Sequence, residues 1–207
     1  MPRTEAVDTP HGRCIVLALD DAATDEPALI GDEHAIAAAL APIRRREFIA
    51  GRTALRTALG IDAPIVPDDR GAPILPAGWV GSISHKGSRA AAIVAPAGDG
   101  FVGVDIDRAA PARMPIERRI LTERELTQGI AGRDVTLRFA IKEAIYKAVD
   151  PIVRRYVAFT EVELDVHADG SVEVTVLDRS RLPVAVEAWW REHDGLWLAT
   201  ARAKPHK

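Results

Sequence analysis

The order of strand-like and helix-like segments is the feature that most constrains how this chain folds. A short apolar run at residues 14–19 precedes a helix-like segment at residues 35–59, and short runs with hairpin-length connections follow it. A second helix-like segment at residues 134–149 is followed by further short runs with Asp-Gly turns between them. This order predicts an α+β fold made of two similar α+β halves, residues 1–102 and 103–207.

Turn and cap residues set the bounds of the predicted helices. Asp32 begins the first helix and Gly60 ends it, with an interruption at Pro42. Pro151 is expected to close the second helix. Residues 63–78 are rich in Pro, Gly and Asp, which predicts an ordered surface loop. The remaining strands are predicted at residues 80–85, 90–95, 101–107, 162–167, 172–177, 184–190 and 196–201.

Charge and cysteine content exclude several classes of function. The 207 residues include 27 basic and 30 acidic side chains, a formal charge of −3, so no whole-molecule field attracts a nucleic acid or a membrane. The lone Cys14 excludes an intramolecular disulfide and a site made of several thiolates. Because no apolar run approaches the roughly 20 residues that span a bilayer, we expect a cytoplasmic protein without nucleic-acid or membrane partners.

The strand-like run at residues 101–107 carries two aspartates. Strict alternation places its aliphatic side chains on one face and Asp105 together with Asp107 on the other. Two carboxylates so close repel each other unless a proton or a cation lies between them, and a divalent ion that prefers oxygen ligands would relieve this repulsion. The alternative for an isolated Asp-x-Asp pattern is a polar strand face that ends in a turn.

The second helix places Glu143 and Lys147 on one face, one turn apart. Its apolar stripe lies on a separate face and comprises Leu137, Ile141, Ala144, Ile145 and Ala148. Glu143 could complete an acidic cluster with the two aspartates, and Lys147 could touch the same ligand. The alternative is an exposed Glu–Lys helix pair that contributes only about 0.3–0.5 kcal/mol.

Two further segments carry groups suited to phosphate. The strand-like run that begins at residue 80 ends with Ser84, His85 and Lys86, which offer a hydroxyl, an imidazole and an ammonium group. The first helix carries guanidinium groups, which can donate paired hydrogen bonds to phosphate oxygens. They belong to Arg44, Arg45, Arg52 and Arg56. A histidine at a hairpin tip and a solvated basic helix face are the alternatives.

Five motifs occur in an order that resembles the 4′-phosphopantetheinyl transferase superfamily. They read Arg44-x-x-Glu-Phe-x-x-Gly-Arg-x-x-x-Arg56, Gly71-x-Pro73, Gly81-Ser-Ile-Ser-His85, Gly103-Val-Asp-Ile-Asp107 and Phe139-x-x-Lys-Glu-Ala-x-x-Lys147. The resemblance is to the monomeric type that serves siderophore, polyketide and nonribosomal peptide pathways. It implies a pseudo-twofold fold in which one chain supplies both halves, and hence a monomer.

The resemblance implies an enzyme that transfers the 4′-phosphopantetheine arm of coenzyme A to a serine of an apo acyl or peptidyl carrier protein. Asp105, Asp107 and Glu143 would hold Mg²⁺. Asp105, Glu143 and Lys147 would be the catalytic groups. Lys147 would donate to the diphosphate and to the leaving group, adenosine 3′,5′-bisphosphate, and Lys142 would add charge nearby. Deprotonation of the serine would fall to Glu143 or to a metal-bound water, and both remain open.

The first half would bind the nucleotide end of coenzyme A by the same resemblance, and the second half would carry the metal and the catalytic residues. The nucleotide-binding set is Arg44, Arg45, Arg52, Arg70, Ser84, His85 and Lys86. Two residues depart from the family pattern: Phe139 stands where many members have Trp, and Asp107 where many have Glu. The shorter Asp107 would then reach the ion through a water.

The charged region at residues 108–133 is the expected docking segment for an acidic carrier protein. Its candidate contacts are Arg113, Arg118, Arg119 and Arg124, and a solvated charged loop is the alternative. Thr122 and Glu125 form a capping-box pattern in the same region, which predicts a short helix at residues 122–128.

Two other functions fit parts of the pattern. A phosphatase of the haloacid dehalogenase type also uses Asp-x-Asp after an apolar strand, with the first Asp as nucleophile, but requires parallel βαβ units. A coenzyme A-binding module that transfers nothing is the second alternative, although the carboxylates and Lys147 argue against it.

Overall fold

The computed structural model describes residues 3–18 and 28–206 of the chain. The chain forms two compact units, Met1–Gly98 and Asp99–Lys207. Their boundary falls between Gly98 and Asp99, where the sequence suggested residues 102 and 103. The difference arises because the strand that begins at Phe101 pairs along its whole length with a strand of the second unit.

The first unit is a four-stranded antiparallel sheet with helices α1 and α2. Its elements are β1 (Arg3–Thr9), β2 (Gly12–Ala18), α1 (Glu33–Ala38), α2 (Pro42–Leu59), β3 (Trp79–Lys86) and β4 (Arg89–Pro96). The strand order is β1-β2-β4-β3. The strand predicted at residues 14–19 corresponds to β2, with residue 19 outside the described residues.

The break predicted at Pro42 is confirmed, because Pro42 is the first residue of α2. Proline is tolerated there since the first helical N–H groups have no partner within the helix. Gly60 ends α2 in a left-handed conformation with φ of 69°, and its N–H donates to the Arg56 carbonyl at 2.8 Å. Helix α2 packs on the sheet through Ala54, Leu55 and Ala58, which are buried.

The second unit is a five-stranded antiparallel sheet with one long helix, α5. Its elements are β5 (Phe101–Arg108), α3 (Glu117–Ile120), α4 (Glu123–Thr127), α5 (Arg133–Val153), β6 (Val162–Val166), β7 (Ser171–Val176), β8 (Val184–His193) and β9 (Leu196–Pro205). The strand order is β5-β9-β8-β7-β6. The apolar stripe predicted on this helix is buried in the core of the unit, and the capping box of Thr122 with Glu125 begins α4.

Two predictions about connections are wrong. The segment between β4 and β5 is not a hairpin, because β4 pairs with β2 and β3 whereas β5 pairs with β9. Pro151 does not end α5 but lies in its last turn, and the helix ends at Val153. Arg154 then adopts a left-handed conformation with φ of 48° and donates its N–H to the Asp150 carbonyl.

Strand β5 and helix α5 touch through their backbones at Gly103. A Cβ atom at this position would lie 1.9 Å from the carbonyl oxygen of Ala144 and 2.8 Å from the nitrogen of Ala148. Only a glycine lets the helix approach the strand this closely without displacement. The contact brings the middle of α5, which includes Glu143 and Lys147, alongside the aspartates of β5.

Candidate active site

The two aspartates of β5 are buried, with 6% of Asp105 and 8% of Asp107 exposed. The aliphatic residues that alternate with them, Val102, Val104 and Ile106, are buried as well, so both faces of β5 are covered in the fold. Within the ladder Asp105 lies opposite Ala199, and Asp107 lies opposite Trp197 of β9. A buried carboxylate requires hydrogen bonds or a cation to offset its lost hydration, and each aspartate has such a partner.

Lys147 provides the cation beside Asp105. Its Nζ donates to Asp105 Oδ1 at 2.7 Å and to the Val104 carbonyl at 2.9 Å. The Lys147 side chain is a quarter exposed while it bonds to the strand, so it is accessible to a ligand. The structure therefore brings Lys147 and Asp105 together, as the sequence predicted.

Asp107 is oriented by its own backbone. Its Oδ1 accepts a hydrogen bond from the Arg108 N–H at 2.6 Å. This bond satisfies one oxygen of the shorter aspartate side chain and limits its reach toward the neighbouring carboxylates.

Glu143 completes an acidic region with the two aspartates. Burial raises the pKa of the Glu143 carboxyl, and Asp105 and, more weakly, Asp107 raise it further. Lys147 and Arg119 oppose this increase. Three carboxylates and two cations thus interact electrostatically at the contact of α5 with β5.

This donor set fits a divalent ion that also binds a substrate. The three carboxylates do not place three oxygens within 4.8 Å of one another. Mg²⁺ is usually bound by one or two carboxylates, with waters and substrate phosphate oxygens completing its octahedral shell. Two buried carboxylates and the half-buried Glu143 are suited to that mode of binding.

Lys142 lies in the interior and not beside the acidic region. Its side chain has no exposed area, and Nζ donates to Glu125 Oε2 at 2.6 Å and to the Ile120 carbonyl at 2.9 Å. The prediction that Lys142 adds charge beside the diphosphate is therefore wrong in this structure. Glu125 neutralises the ammonium group, and no exposed surface remains to contact a ligand.

Arg52 and Arg56 of α2 are mainly structural. Arg56 donates to both oxygens of the fully buried Glu33, at 2.6 and 2.7 Å, and also bonds to the Ala28 carbonyl. Glu33 accepts in addition from the backbone N–H of Ile65 at 2.8 Å. This carboxylate therefore joins α1, α2 and the loop after α2.

Arg52 is 5% exposed and belongs to the same region. Its Nε donates to the Ile65 carbonyl at 2.7 Å, and its guanidinium carbon lies 4.5 Å from the centroid of the Phe48 ring. Burial lowers the pKa of Arg52 to about 10, while Glu33 opposes this change and Arg56 adds to it. Because Nε is already bonded, only the terminal nitrogens of Arg52 could donate to a phosphate.

Glu47 joins two of the predicted phosphate-binding residues. Its Oε2 accepts from Arg44 at 3.0 Å, and its Oε1 lies 3.3 Å from Nδ1 of His85. Helix α2 and the end of β3 therefore present an arginine and an imidazole beside one carboxylate. Arg44 itself is largely exposed, as a ligand contact requires.

The other predicted residues of the first unit differ in exposure. Ser84 is buried, Arg45 and Lys86 are half-buried, and Arg70 is exposed. The N–H of Arg70 donates to Asp68 Oδ1 at 2.8 Å in the turn before β3. Arg45, Lys86 and Arg70 are therefore accessible cations.

Four residues have contacts with predicted site residues that the sequence did not predict, although Arg119 is a docking candidate and Glu125 a capping-box residue. They are Glu33, Glu47, Arg119 and Glu125. Glu47 follows Arg44 by three positions, a spacing that places both on one helix face. The capping-box pattern indicated only the bond of Glu125 to Thr122. The bonds of Glu33 to Arg56 and of Glu125 to Lys142 join residues distant in sequence, which no local pattern indicates.

The structure shows the contacts of Phe139, which departs from the family pattern, and of Arg124, a candidate contact for the carrier protein. Phe139, which stands where Trp is common, packs edge to face on Phe159 with ring centroids 5.6 Å apart. Arg124 pairs with Asp165 and Glu163, so this member of the expected docking set is attached to β6.

The haloacid dehalogenase alternative is inconsistent with the sheets. Every pairing among the described strands is antiparallel. The parallel βαβ units on which that active site depends are absent from the part of the chain that the structure describes.

Two family models match consecutive parts of the chain. The model of the 4′-phosphopantetheinyl transferase N-terminal domain matches residues 32–95, and the model of the 4′-phosphopantetheinyl transferase superfamily matches residues 101–201. The first match includes Arg44 and His85. The second includes the aspartates of β5 and the charged residues of α5.

Two relatives match this chain over more residues than either unit contains by itself. The 4′-phosphopantetheinyl transferase Svp of Streptomyces mobaraensis is 36% identical over 166 residues, 74% of this chain and 68% of that protein. The 4′-phosphopantetheinyl transferase Npt of Nocardia iowensis is 35% identical over 156 residues, 69% of this chain and 68% of that protein. Among solved structures, Helicobacter pylori holo-[acyl-carrier-protein] synthase in complex with coenzyme A covers 50% of this chain and 100% of its own, with 18% identity and a TM-score of 0.40.

Proposed function

This chain belongs to the 4′-phosphopantetheinyl transferase superfamily, and we propose that it transfers the 4′-phosphopantetheine arm of coenzyme A to a serine of an apo acyl or peptidyl carrier protein. The observation that carries the proposal is the contact of Lys147 with Asp105 beside Glu143, whose pKa is raised. An ammonium group and carboxylates in one partly accessible region are suited to phosphoryl transfer, which depends on charge neutralisation and positioning.

The acidic residues of the second unit would hold the metal ion. Asp105, Asp107 and Glu143 are the proposed Mg²⁺ ligands, with Asp107 acting through a water because its Oδ1 already accepts from the Arg108 N–H. Bound Mg²⁺ would supply positive charge that neutralises the phosphate under attack and the departing phosphate.

Glu143 and Lys147 would handle the proton and the charge during transfer. Glu143 is the proposed acceptor of the carrier serine's proton, because it is half-buried and therefore more accessible than the two buried aspartates. The serine oxygen would bond to the phosphorus of the pantetheine phosphate as the P–O bond within the diphosphate breaks. Lys147, attached to Asp105, would donate to the leaving adenosine 3′,5′-bisphosphate.

The accessible cations of the first unit would bind the 3′-phosphate and the adenosine end of coenzyme A. The proposed set is Arg44, Arg45, Arg70, Ser84, His85 and Lys86, with Arg52 contributing through its terminal nitrogens. Glu47 supports the assignment of Arg44 and His85, because it holds both groups in a defined position.

Replacing Arg44 and Arg45 together by Ala is expected to raise KM for coenzyme A by at least about 10-fold, since each charged hydrogen bond contributes about 1.5–3 kcal/mol. KM for dephospho-coenzyme A, which lacks the 3′-phosphate, should change less than about twofold. Steady-state kinetics with both substrates checks this result. Arg46→Ala, an exposed change on the same helix, is the matched control and should affect neither KM. Equal increases for both substrates would contradict the assignment.

The transfer reaction is tested by incubating the protein with Mg²⁺, coenzyme A and an apo-carrier protein, and then measuring the mass of the carrier. We expect a gain of one phosphopantetheinyl group, which EDTA prevents and added Mg²⁺ restores. Release of phosphate without a change in carrier mass would instead indicate a phosphatase. Binding of coenzyme A without either product would indicate a binding module.

Location and oligomeric state remain predictions from the sequence. No helix among the described residues is long and apolar enough to cross a membrane. We propose a monomer that acts in the cytoplasm, with coenzyme A and a carrier protein as its partners. Size-exclusion chromatography with light scattering measures the oligomeric state.

A further inference from the structure

A buried ion pair lies one residue before Glu143 on α5. The side chains of Lys142 and Glu125 have no exposed area, and their charged atoms are 2.6 Å apart. Burial lowers the pKa of Lys142, and the hydrogen bond to Glu125 opposes this change. Apolar side chains of similar volume often replace such a pair without loss of stability. The charges therefore call for an explanation other than stability.

Glu125 links Lys142 to two further elements. Its Oε2 accepts from the Thr122 N–H at 2.8 Å, and its Oε1 accepts from the Leu164 N–H at 3.0 Å. The first bond belongs to the capping box that begins α4, and the second fixes strand β6. Lys142 itself also bonds to the carbonyl of Ile120, at the end of α3. One ion pair thus fixes α5 relative to α3, α4 and β6.

The direction in which the Lys142 side chain leaves α5 determines the direction of the Glu143 side chain. Neighbouring residues of an α-helix point about 100° apart, so a helix held by Lys142 cannot rotate about its axis at this point. Lys142 points toward α3 and α4, and Glu143 then lies close enough to Asp105 and Asp107 to interact with both. Arg119, the residue before Ile120, interacts with Glu143 from the α3 side.

We propose that Lys142 and Glu125 are positioning residues that hold Glu143 against the aspartates of β5 without touching substrate. The kinetic consequence of this inference rests on the proposed transfer function, whereas its consequence for metal binding does not. The close contact at Gly103 sets the distance between α5 and β5. The buried pair sets the rotation of α5 about its own axis.

The test is the double variant Lys142→Met with Glu125→Gln, which removes both charges and approximately preserves volume. Loss of a group that orients a metal ligand commonly lowers activity or metal affinity about 10–100-fold. We therefore expect kcat for carrier modification to fall at least about 10-fold, with KM for coenzyme A within about threefold of the unaltered protein. The affinity for Mn²⁺, measured with coenzyme A present by electron paramagnetic resonance of the free ion, should fall about 10-fold.

The matched control is Arg133→Met with Glu192→Gln, which removes an ion pair at the first residue of the same helix. That pair is about half exposed, so kcat and Mn²⁺ affinity should not change. Unchanged kcat and Mn²⁺ affinity in the Lys142–Glu125 variant would overturn the positioning role, even if Tm falls. Lack of Mn²⁺ binding by the unaltered protein would also overturn it, since no metal site would then need positioning. If the unaltered protein modifies no carrier, the transfer function fails, and the Mn²⁺ comparison still decides the positioning role.

Discussion

Glu143→Gln is expected to lower the rate of carrier modification at least about 100-fold, because it removes both a proposed metal ligand and the proposed proton acceptor. The amide cannot accept the serine proton, and it is a weaker ligand for Mg²⁺ than a carboxylate. Single-turnover measurements of the carrier mass check this loss. Asp105→Asn should reduce the rate comparably, while Glu173→Gln, at an exposed position of β7, should leave it unchanged.

The same Glu143→Gln substitution is expected to raise Tm of the metal-free protein at neutral pH. The pKa of Glu143 lies above its ordinary value of 4.5 in the folded protein, so the folded chain binds this proton more tightly than the unfolded chain. The stability that results is present below the ordinary pKa and is lost as pH rises through the raised value. Ionised Glu143 therefore lowers the free energy of unfolding at neutral pH, and Gln removes this effect.

Thermal unfolding in EDTA at two pH values measures the sign of this change in Tm. The Tm difference between Glu143→Gln and the unaltered protein should be positive near pH 7 and should nearly vanish at about pH 3, below the ordinary pKa of 4.5, where the carboxyl is protonated in both states. A variant with full transfer activity would contradict the proposed role of Glu143. A lower Tm at pH 7 would contradict the electrostatic account of the site.

Gly103→Ala is expected to destabilise the second unit by about 3 kcal/mol, at the upper end of the usual cost of overpacking. The added Cβ would lie 1.9 Å from the Ala144 carbonyl oxygen. A backbone atom inside a helix cannot rotate away as a side chain can, so α5 must move from β5. At about 2–4 °C per kcal/mol for a chain of this size, Tm should fall by about 6–12 °C.

Gly98→Ala is the matched control for this substitution. A Cβ atom at Gly98 would meet nothing within 4 Å, and its φ is not in the left-handed region. Calorimetry should give a Tm within about 2 °C of the unaltered protein, as for most exposed substitutions. A Gly103→Ala protein with unaltered Tm would show that α5 can shift freely. The proposed role of the close contact in placing Glu143 and Lys147 would then be wrong.

The features that the sequence predicted well depend on local rules. Pro42 and Gly60 bound α2 because their allowed backbone conformations favour a helix start and a helix end. Alternation in β5 placed Asp105 and Asp107 on one side of the strand because a strand has a period of two residues. The motif around Lys147 correctly indicated its proximity to Asp105, which the structure confirms at 2.7 Å.

The features that the sequence did not predict depend on partners distant along the chain. Lys142 and Lys147 are similar in sequence context, but Lys142 meets Glu125 in the interior whereas Lys147 meets Asp105 at a partly exposed position. Strand β1 has no apolar run to indicate it and is defined by its pairing with β2. Pro151 was expected to end α5, yet it lies in the last turn of the helix, which ends at Val153 before the left-handed cap at Arg154.

The bonds of Glu33 have a consequence for the order of folding in the first unit. Its partners Arg56 and Ile65 lie 23 and 32 residues away, whereas the pairing of β2 with β4, for example Ile15 with Ala92, joins residues much farther apart in sequence. Contacts between nearby residues close small loops at a low entropic cost and therefore form early. We expect pulsed hydrogen exchange during refolding to protect the amide of Ile65 before the amides that join β2 to β4. The helical part of the unit would then be in place before β2 and β4 join the hairpins β1–β2 and β3–β4 into one sheet.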